Sequence, residues 1–460
     1  MICFHSRFAI SIAAVRSSFA VMCLAGFCST GLAEPVSFKK DVAPVLLDQC
    51  LACHGPKKAE GGYRIDTFER VMAAGDSTSA GYVAKDLEGS EAYRRIVSTD
   101  KDERMPLDGD PLPPHHVELM KRWIEEGASF DGPDAKAPLA SYIPPPVHPA
   151  APEKYVGTLP ITAMAFSPDG LQLYVGGYHE ITVWNPADGM LVKRIGNIGQ
   201  RTYAIDFSPD GKQFAVACGA PGRHGEVRLF GAENGELQKV LATTSDVVFD
   251  VAYNPQGDRL ATAAADSTLR VFEVASGSEQ LTISSHSDWI FAVAWNSDGS
   301  KLATGSRDKT AKVFDAKTGE LLITYSAHNQ PVRGVLFHPD GAEVFSSGSD
   351  NKVQRWKIAD AARTAEFGLG GEVYKLTPGG EFFFTSSAEQ KIRQYNAKDH
   401  KQVREYQGAK EWTLSAAFHA ASKRVAGGTF DGQVIVWNAD DGNQITAFYA
   451  APGYAPVEKK

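Results

Sequence analysis

Cysteine is scarce in this sequence. Six cysteines occur in 460 residues, and three of them lie within the first 33. If that leader is removed, only Cys50, Cys53 and Cys218 remain, too few for the disulfide framework that exported proteins commonly use. Cys50 and Cys53 share one short motif, so Cys218 has no evident mate. We predict that Cys218 is a small buried hydrophobe in a strand.

The sequence also lacks a hydrophobic run long enough to span a membrane. Its longest candidate, about 19–27, is shorter than the roughly 20 residues that a span requires. This run follows two arginines, and residues 1–33 contain no acidic side chain. The pattern predicts a secretory signal over 1–33, cleaved after Ala33, rather than an uncleaved anchor. We therefore expect an exported protein, periplasmic or otherwise extracytoplasmic, with no transmembrane span after cleavage.

Basic residues are in the minority. The chain has 47 Lys and Arg against 55 Asp and Glu, which gives a formal net charge of −8. Loss of the two arginines in the predicted signal makes this charge −10. An acidic surface argues against nucleic-acid binding and favours a basic partner protein.

Signals of catalysis are weak. The sequence has no Gly-rich phosphate loop and, apart from the motif at Cys50, no dense group of His, Asp or Glu. Two histidines are each followed by hydroxyl and aspartate residues at matching spacings: His286 by Thr304, Ser306 and Asp308, and His328 by Ser346, Ser347 and Asp350. A nucleophile system would use these residue types. Because the pattern recurs in adjacent repeats, we predict a structural hydrogen-bond network and no catalytic residues.

A five-residue turn motif recurs through the second part of the chain. Clear copies begin with an aromatic residue and end with glycine, and they occupy 166–170, 207–211, 253–257, 295–299 and 337–341. Degenerate copies follow at 376–380 and 418–422. Seven copies at a period of about 40 to 45 residues predict a β-propeller with seven four-stranded blades. We expect an outer strand at about 443–449 to complete the seventh blade, with the stretch near Val156 as the competing donor.

These repeats resemble WD40 repeats over about 157–450. Trp184, Trp356 and Trp437 occupy the tryptophan position, and Phe230, Phe272 and Phe314 replace it elsewhere. The resemblance implies that the His, Ser or Thr, and Asp residues fix the turns of each blade. It also implies a broad face that serves as a protein-docking scaffold.

Cys50, Cys53 and His54 form a Cys-x-x-Cys-His motif, the spacing of covalent haem attachment. Two thiols at this spacing can add to the two vinyl groups on one porphyrin edge, and the next residue places an imidazole under the iron. The competing interpretations are a thioredoxin-like pair and half a zinc site. The first lacks a surrounding βαβ pattern, and the second lacks another cysteine pair. We predict one covalently bound haem c, with His54 as proximal iron ligand.

A sixth iron ligand is expected from methionine or histidine. Met105 lies in an irregular stretch between two predicted helices, where a loop can approach the second haem face, and we predict it as the distal ligand. Met72 and Met120 are expected to pack. His115 or His116, or an open position, remain the alternatives.

The haem motif lies in a region expected to be helical at its ends. One helix is predicted from Ser37, its N-cap, to about Cys50, and another from about Pro114 to Glu126. The second carries an apolar stripe and stops at Gly127. A Pro-rich stretch follows, and we predict that it is an extended, semi-rigid tether.

Residues 36–128 resemble the planctomycete-type cytochrome c domain. The matching stretches are 41–44, 54–58, Gly61, Gly62, Asp66, Gly75, Asp76, Ser90, 104–106, Trp123, Ile124, Gly127 and Ala128. The resemblance implies a single covalently bound haem with His54 and Met105 as axial ligands. Leu107 stands where the family usually has a second proline, a small departure at the haem rim.

The predicted organisation is a multidomain chain, in which a small all-α cytochrome c domain precedes an all-β, seven-bladed WD40-like propeller. The expected boundaries are 1–33 signal, 34–129 cytochrome c domain, 130–156 linker, 157–450 propeller and 451–460 tail. We expect a monohaem electron carrier, docked through the propeller face to a redox partner protein, rather than an enzyme. The alternatives are a self-contained oxidoreductase with a substrate site on the propeller and a haem-based redox or ligand sensor.

Overall fold

The structure, a computed structural model, describes residues 34–55, 58–107, 109–139 and 146–454. The chain divides into two compact units, with the division between Pro144 and Pro145. The predicted signal lies outside the described residues. Within the described ranges, no helix combines the length and hydropathy that a membrane crossing requires.

The first unit is helical and contains no strand within its described residues. A π-helical turn at Phe38–Val42 leads directly into the first α-helix, and a single 3₁₀ turn occurs at Glu60–Gly62. The helices are α1 Ala43–Gln49, α2 Leu51–His54, α3 Phe68–Met72, α4 Glu91–Val97 and α5 Pro114–Glu125.

Both predicted helices are confirmed, with small changes at their ends. The hydroxyl of Ser37 accepts a hydrogen bond from the Lys40 amide at 2.9 Å, as an N-cap does. Helix α5 ends at Glu125, and Gly127 follows with φ 114°, a conformation that favours glycine. Helices α3 and α4 were not predicted, because five- and seven-residue helices show too little periodicity to be recognised.

Aromatic packing forms the core of this unit. Phe38 contacts Phe68 edge to face at 4.7 Å between ring centroids, and it contacts Trp123 of α5 at 5.4 Å. Trp123 is buried, and its indole N–H donates to the Ser129 carbonyl at 3.1 Å. A buried indole whose polar atom has a partner gains apolar burial without leaving an unmade hydrogen bond. The stripe of α5 therefore attaches this helix to the N-terminal segment.

The chain just after α5 packs back onto the same unit. Leu139 is fully buried in this core, and its amide donates to the Asp66 carbonyl at 2.8 Å. The Ala135 carbonyl accepts a hydrogen bond from the Glu69 amide at 3.0 Å. The first part of the Pro-rich stretch is thus in contact with the helical unit over its described residues.

The second unit consists of seven four-stranded antiparallel sheets, and this confirms the predicted propeller. Each blade uses four strands that are consecutive in sequence. The strands are β1 Met164–Phe166, β2 Leu173–Gly176, β3 Ile181–Trp184 and β4 Leu191–Ile195 in blade 1; β5 Arg201–Phe207, β6 Gln213–Ala220, β7 His224–Gly231 and β8 Leu237–Thr244 in blade 2; β9 Val248–Tyr253, β10 Arg259–Ala264, β11 Leu269–Glu273 and β12 Glu279–Ile283 in blade 3; β13 Ile290–Trp295, β14 Lys301–Ser306, β15 Ala311–Asp315 and β16 Leu321–Tyr325 in blade 4; β17 Val332–Phe337, β18 Glu343–Gly348, β19 Lys352–Lys357 and β20 Arg363–Gly368 in blade 5; β21 Val373–Gly379, β22 Phe382–Ser387, β23 Ile392–Asn396 and β24 Gln402–Tyr406 in blade 6; and β25 Thr413–His419, β26 Arg424–Thr429, β27 Gln433–Asn438 and β28 Gln444–Tyr449 in blade 7.

The recurring motif is the turn between the first two strands of each blade. In blade 1, the Ser167 hydroxyl donates to Asp169 at 2.6 Å, and Gly170 has φ 69°. Ser208, Asp210 and Gly211 repeat this arrangement in blade 2. A positive φ favours glycine, which has no Cβ, and this explains the glycine that closes every clear copy of the motif.

The ring closes through side-chain packing between blades 1 and 7. Blade 7 is completed by its own β28, as predicted, and the stretch near Val156 contributes no strand to it. Ile161 and Met164 pack with residues of blade 7 in one apolar cluster, and the Ser415 hydroxyl donates to the Ile161 carbonyl at 2.7 Å. Closure therefore depends on contacts between the two ends of the propeller.

Buried histidines stabilise blades 4 and 5, which confirms the predicted structural network. In blade 5, His328 bonds Asp350 through Nδ1 and Ser346 through Nε2, both at 2.8 Å. The Trp356 indole N–H donates to the same Ser346 hydroxyl at 3.1 Å. Ser346 is fully buried and His328 is 4% exposed, so a substrate has no access to this hydroxyl. His286, Thr304 and Asp308 form the corresponding set in blade 4.

Asp350→Ala should destabilise the propeller by about 2 kcal/mol at neutral pH, because it leaves a buried histidine N–H without its acceptor. Burial by itself raises the pKa of Asp350, but hydrogen bonding and charge attraction from His328 outweigh it, and the pKa lies below its usual value. Such a group stabilises the fold above its unfolded pKa of about 4, and the contribution is lost as the pH falls through the folded pKa. Denaturant unfolding of the full chain across this range should show the difference between wild type and variant shrinking below about pH 4.

Asp340→Ala is the matched control. Asp340 also pairs with a histidine, His338, at 2.8 Å, but its side chain is 48% exposed. An exposed pair contributes on the order of 0.5 kcal/mol. Equal losses of stability in the two variants would contradict the structural role of the buried network.

Candidate haem site

Local helix geometry positions the motif residues. The Cys50 amide donates to the Leu46 carbonyl at the end of α1, and the His54 amide donates to the Cys50 carbonyl, both at 3.0 Å. Cys50 is half-buried and Cys53 is exposed. Burial first, then the neighbouring Asp48 and Cys53, raise the pKa of the Cys50 thiol to about 11. Cys50 is therefore a neutral thiol at physiological pH.

A cavity of about 570 Å³ opens beside the motif. This volume lies within the range of pockets that hold a small organic ligand. The structure brings three of the four predicted residues to its wall, Cys50, His54 and Met105, while Cys53 lies outside the lining. The other lining residues are Leu46, Glu60, Gly61, Tyr63, Ile65, Gly75, Asp76, Ser77, Ser79, Gly81, Tyr82, Glu91, Ala92, Arg95 and Ile96.

The imidazole of His54 is oriented by a backbone carbonyl. Its Nδ1 lies 3.2 Å from the Tyr63 carbonyl oxygen, and the Tyr63 ring packs against it edge to face at 5.5 Å. The Tyr63 hydroxyl donates to the Val71 carbonyl at 2.7 Å, which holds that ring in place. Metal-ligating histidines commonly donate one ring N–H to such a carbonyl and keep the other nitrogen for the metal. The geometry thus leaves Nε2 of His54 for a ligand in the cavity.

Met105 is the sole methionine on the described cavity wall, and His54 is the sole histidine there. The Met105 amide donates to the Arg95 carbonyl at 3.0 Å, which attaches the loop to the end of α4. Met120 is fully buried in the core, and Met72 packs against that core.

The histidine alternatives to Met105 lie elsewhere. His115 is exposed and His116 is half-buried near the start of α5, and neither lines the cavity. Of the residues weighed as distal ligands from the sequence, Met105 alone reaches the cavity.

Glycines allow the backbone to approach closely around the cavity. A Cβ at Gly81 would lie 2.2 Å from the Tyr63 hydroxyl and 2.4 Å from the Val71 carbonyl. A Cβ at Gly75 would lie 2.5 Å from the Gly61 carbonyl. Larger residues at these positions would displace Tyr63 or the Gly61 loop. With two thiols, an oriented imidazole and a thioether, this donor set fits a c-type haem.

Sequence reasoning missed Tyr63, Gly81 and Arg95 as cavity residues. Tyr63 follows His54 by nine residues across a 3₁₀ turn, and Arg95 is on the unpredicted α4. No spacing rule relates these residues to the motif, because their positions depend on how the loops fold around the cavity.

The first strands of the seven blades surround a second cavity of about 990 Å³. Four charged residues lie on its wall: Asp206, Asp250, Arg333 and Lys375. The Lys375 ammonium is 3.3 Å from Asp250, and the Asp206 carboxylate accepts a hydrogen bond from the Tyr253 amide at 2.8 Å. Burial raises the pKa of Asp206 to about 7. Around this cavity the described residues place no histidine, serine and carboxylate together in the arrangement of a nucleophile system.

One mouth of this central cavity is aromatic. Tyr203, Phe249 and Phe291 lie near the beginnings of the first strands of blades 2, 3 and 4. The ring centroids of Tyr203 and Phe249 are 5.5 Å apart, and those of Phe249 and Phe291 are 5.1 Å apart. Trp289, 36% exposed, packs at 5.7 Å from Phe249. The guanidinium of Arg333 lies 4.2 Å from the Phe291 ring centroid. Aromatic and arginine side chains in one partly exposed group are typical of protein-binding hot spots.

The geometry defines a cytochrome-type domain followed by a β-propeller, and family comparisons agree. Residues 50–109 match the model described as Planctomycete cytochrome C. Residues 235–273, 277–315, 319–357 and 400–438 match the WD domain, G-beta repeat. The chain thus combines a planctomycete-type cytochrome c domain with a seven-bladed WD40-repeat propeller.

Two curated proteins are similar over a short part of the chain. The intraflagellar transport protein 122 homolog of Danio rerio is 30% identical over 103 residues, which are 22% of this chain and 8% of that protein. The homolog of the same name from Xenopus tropicalis is 29% identical over 103 residues, with the same coverage. The chain thus spans less than a tenth of these relatives, and the likeness is confined to that segment.

Proposed function

We propose that this protein is an exported electron carrier with one covalently bound haem c, whose propeller docks a redox partner protein. The observation that supports this most directly is the cavity of the first unit, because Cys50, His54 and Met105 meet on its wall. When bound, the haem supplies reversible one-electron chemistry.

The motif residues and Met105 would each hold a different part of the haem. Cys50 and Cys53 would form the two thioether links, since they are one helical turn apart; Cys50 is on the cavity wall, and Cys53 lies outside its lining. His54, held by the Tyr63 carbonyl, would present Nε2 to the iron. Met105 would supply its thioether sulfur to the iron as a further ligand, a soft donor that favours the ferrous state.

Export is proposed on the sequence pattern of residues 1–33, with cleavage after Ala33. We further propose a cytochrome c domain over 34–129, a linker over 130–156, the propeller over 157–450 and a tail over 451–460. The packing of Leu139 on the helical unit means that the first residues of this linker act as part of the cytochrome domain.

For the docking surface we propose the aromatic mouth of the propeller: Tyr203, Phe249, Trp289, Phe291 and Arg333. Trp289 is partly exposed and is stacked by the guanidinium of Arg307, at 4.6 Å from the ring centroid. A rigid, half-buried tryptophan loses little entropy when a partner covers it. The acidic net charge favours a basic partner.

Electron exchange with a partner tests both parts of the proposal. Reduced full-length protein, with its haem attached, is mixed with an oxidised extracytoplasmic protein fraction of the source organism, and haem re-oxidation is followed by absorbance. We expect rapid re-oxidation, slowed at least about tenfold in Trp289→Ala, because loss of a hot-spot residue costs about 1.4 kcal/mol or more of binding.

Two controls separate docking from redox chemistry. Re-oxidation by a small inorganic oxidant should be the same in wild type and Trp289→Ala, since the haem cavity is untouched. Val403→Ala changes an exposed residue on the outer strand β24 and should leave partner-driven re-oxidation unchanged. Absence of any protein-driven re-oxidation would contradict the carrier function, whereas equal rates for Trp289→Ala and wild type would contradict this docking face alone.

A further inference from the structure

A cluster of histidines and one glutamate lies at the beginning of β7. His224 and Glu226 are on this strand, two residues apart, so their side chains point to the same face. His148 reaches them from the segment that precedes the propeller. Ligand atoms of His148, His224 and Glu226 all lie within 4.8 Å of one another. The proposed electron-carrier function does not involve this cluster.

The cluster is compact and largely closed to solvent. His148 Nε2 is 2.8 Å from a Glu226 carboxylate oxygen, and the two side chains are only 9% and 3% exposed. The rings of His148 and His224 are nearly parallel, with centroids 5.5 Å apart. His179 is the next imidazole, at 6.1 Å from His148.

One nitrogen in the cluster has no partner. Nε2 of His224 is buried and makes no hydrogen bond within the part of the chain that the structure describes. A buried polar atom without a partner is costly, so an ion or water at this position would account for it. A ring nitrogen of His224 lies within 4.8 Å of the ligand atoms of His148 and Glu226, the two groups that could share such an ion.

Surrounding groups hold the possible ligands in place. Arg228 is fully buried; it donates from Nε to Glu226 and from Nη2 to the Pro146 carbonyl, both at 2.6 Å. The His148 amide donates to the Asn197 side chain at 2.9 Å. Nδ1 of His179 lies 3.1 Å from the Ile198 carbonyl oxygen, so its Nε2 can act as an acceptor. Partners of this kind orient metal ligands in proteins.

We propose that His148, His224 and Glu226 bind a divalent transition-metal ion of the zinc class. Two imidazoles and one carboxylate form a known zinc ligand set, whereas calcium and magnesium require mainly oxygen ligands. Binding through Nε2 of His148 would replace its hydrogen bond to Glu226, and the imidazole would carry its proton on Nδ1. His179, whose ring is 6.1 Å from that of His148, is the nearest residue that could supply an additional metal ligand. The ion would link the segment before the propeller to blade 2.

Zinc binding to the full-length protein tests this site. The haem-loaded chain is stripped with a chelator, which leaves a covalently attached haem in place, and is dialysed against buffered zinc. Zinc per chain is then measured by mass spectrometry. We expect one zinc ion in wild type and an affinity at least about tenfold lower in His148→Gln and His224→Gln.

His338→Gln is the matched control. His338, Asp340 and Glu343 form a second grouping of ligand residues, but both ring nitrogens of His338 already have partners and Glu343 pairs with Arg355. This variant should keep the zinc of the wild type. Its loss of zinc, or full zinc binding by His224→Gln, would overturn the assignment.

Stability measurements distinguish the loss of a zinc ligand from a folding defect in the variant. Nε2 of His224 makes no hydrogen bond to lose, so His224→Gln should unfold like wild type without zinc. Zinc should raise the melting temperature of wild type and slow proteolysis within residues 146–155, because a ligand that binds the native state stabilises it. Neither effect should occur in His224→Gln. A wild type that binds no zinc would show that the cluster is a hydrogen-bonded clamp only and would overturn the proposal.

Discussion

Protein in which both Cys50 and Cys53 are changed to alanine should carry no covalently bound haem. Each thioether link requires a thiol that can reach a vinyl group on the porphyrin edge, and the motif supplies two thiols one helical turn apart. Haem staining of a denaturing gel, or acid-acetone extraction, measures the covalent fraction. We expect it to fall from about one haem per chain to none.

Cys218 provides the control for this experiment. It is fully buried in β6 of the propeller, and burial raises the pKa of its thiol to about 12. Such a thiol is inert and cannot replace the motif cysteines. Cys218→Ala should therefore keep the haem content of wild type. Covalent haem retained by the double variant would refute the assignment of the motif.

Met105→Ala should open the sixth coordination position while the haem remains attached. With His54 and Met105 as ligands, the iron should be low-spin, with a comparatively high potential and no vacant site. Reduced wild type should therefore bind carbon monoxide slowly or not at all. Removal of the thioether should permit rapid carbon monoxide binding and lower the potential by on the order of 0.1 V, within the roughly 0.8 V range that axial ligands span.

The controls for Met105 are residues that the structure places away from the cavity. Met72→Ala removes a methionine that packs against the core and should leave the sixth position closed. His115→Ala and His116→Ala should likewise have no effect on carbon monoxide binding. If only a histidine variant opens the site, the haem is bis-histidine. If wild type already binds carbon monoxide rapidly, a sensor or an enzyme fits better than a carrier.

The parts of the fold that could be predicted from the sequence are those set by local residue spacing. The Cys-x-x-Cys-His motif spans one helical turn, so its geometry is set by neighbouring residues. The turn motif that ends at Gly170 in blade 1 occurs in five clear and two degenerate copies, and each blade closes within about 40 residues. Both the helix α5 and the self-completed blade 7 follow from such short-range patterns.

Contacts between residues that are distant in the sequence could not be predicted from local spacing. The Tyr63 carbonyl that orients His54 depends on a 3₁₀ turn without periodicity. The local pattern favours Met105 over Met72 and Met120 as the distal ligand. Which of the three lies on the cavity wall depends on packing, and the structure places only Met105 there.

The sequence by itself determined the Cys-x-x-Cys-His motif, the number of blades and the order of the two structured regions, because these depend on spacings within a helical turn or within one repeat. Tertiary structure decided which side chains line the cavity, how the ring closes at Ile161 and Ser415, and that His148 meets His224 and Glu226. The last two of these contacts join residues that are 76 to 254 positions apart. They arise from the packing of whole elements, which no local pattern encodes.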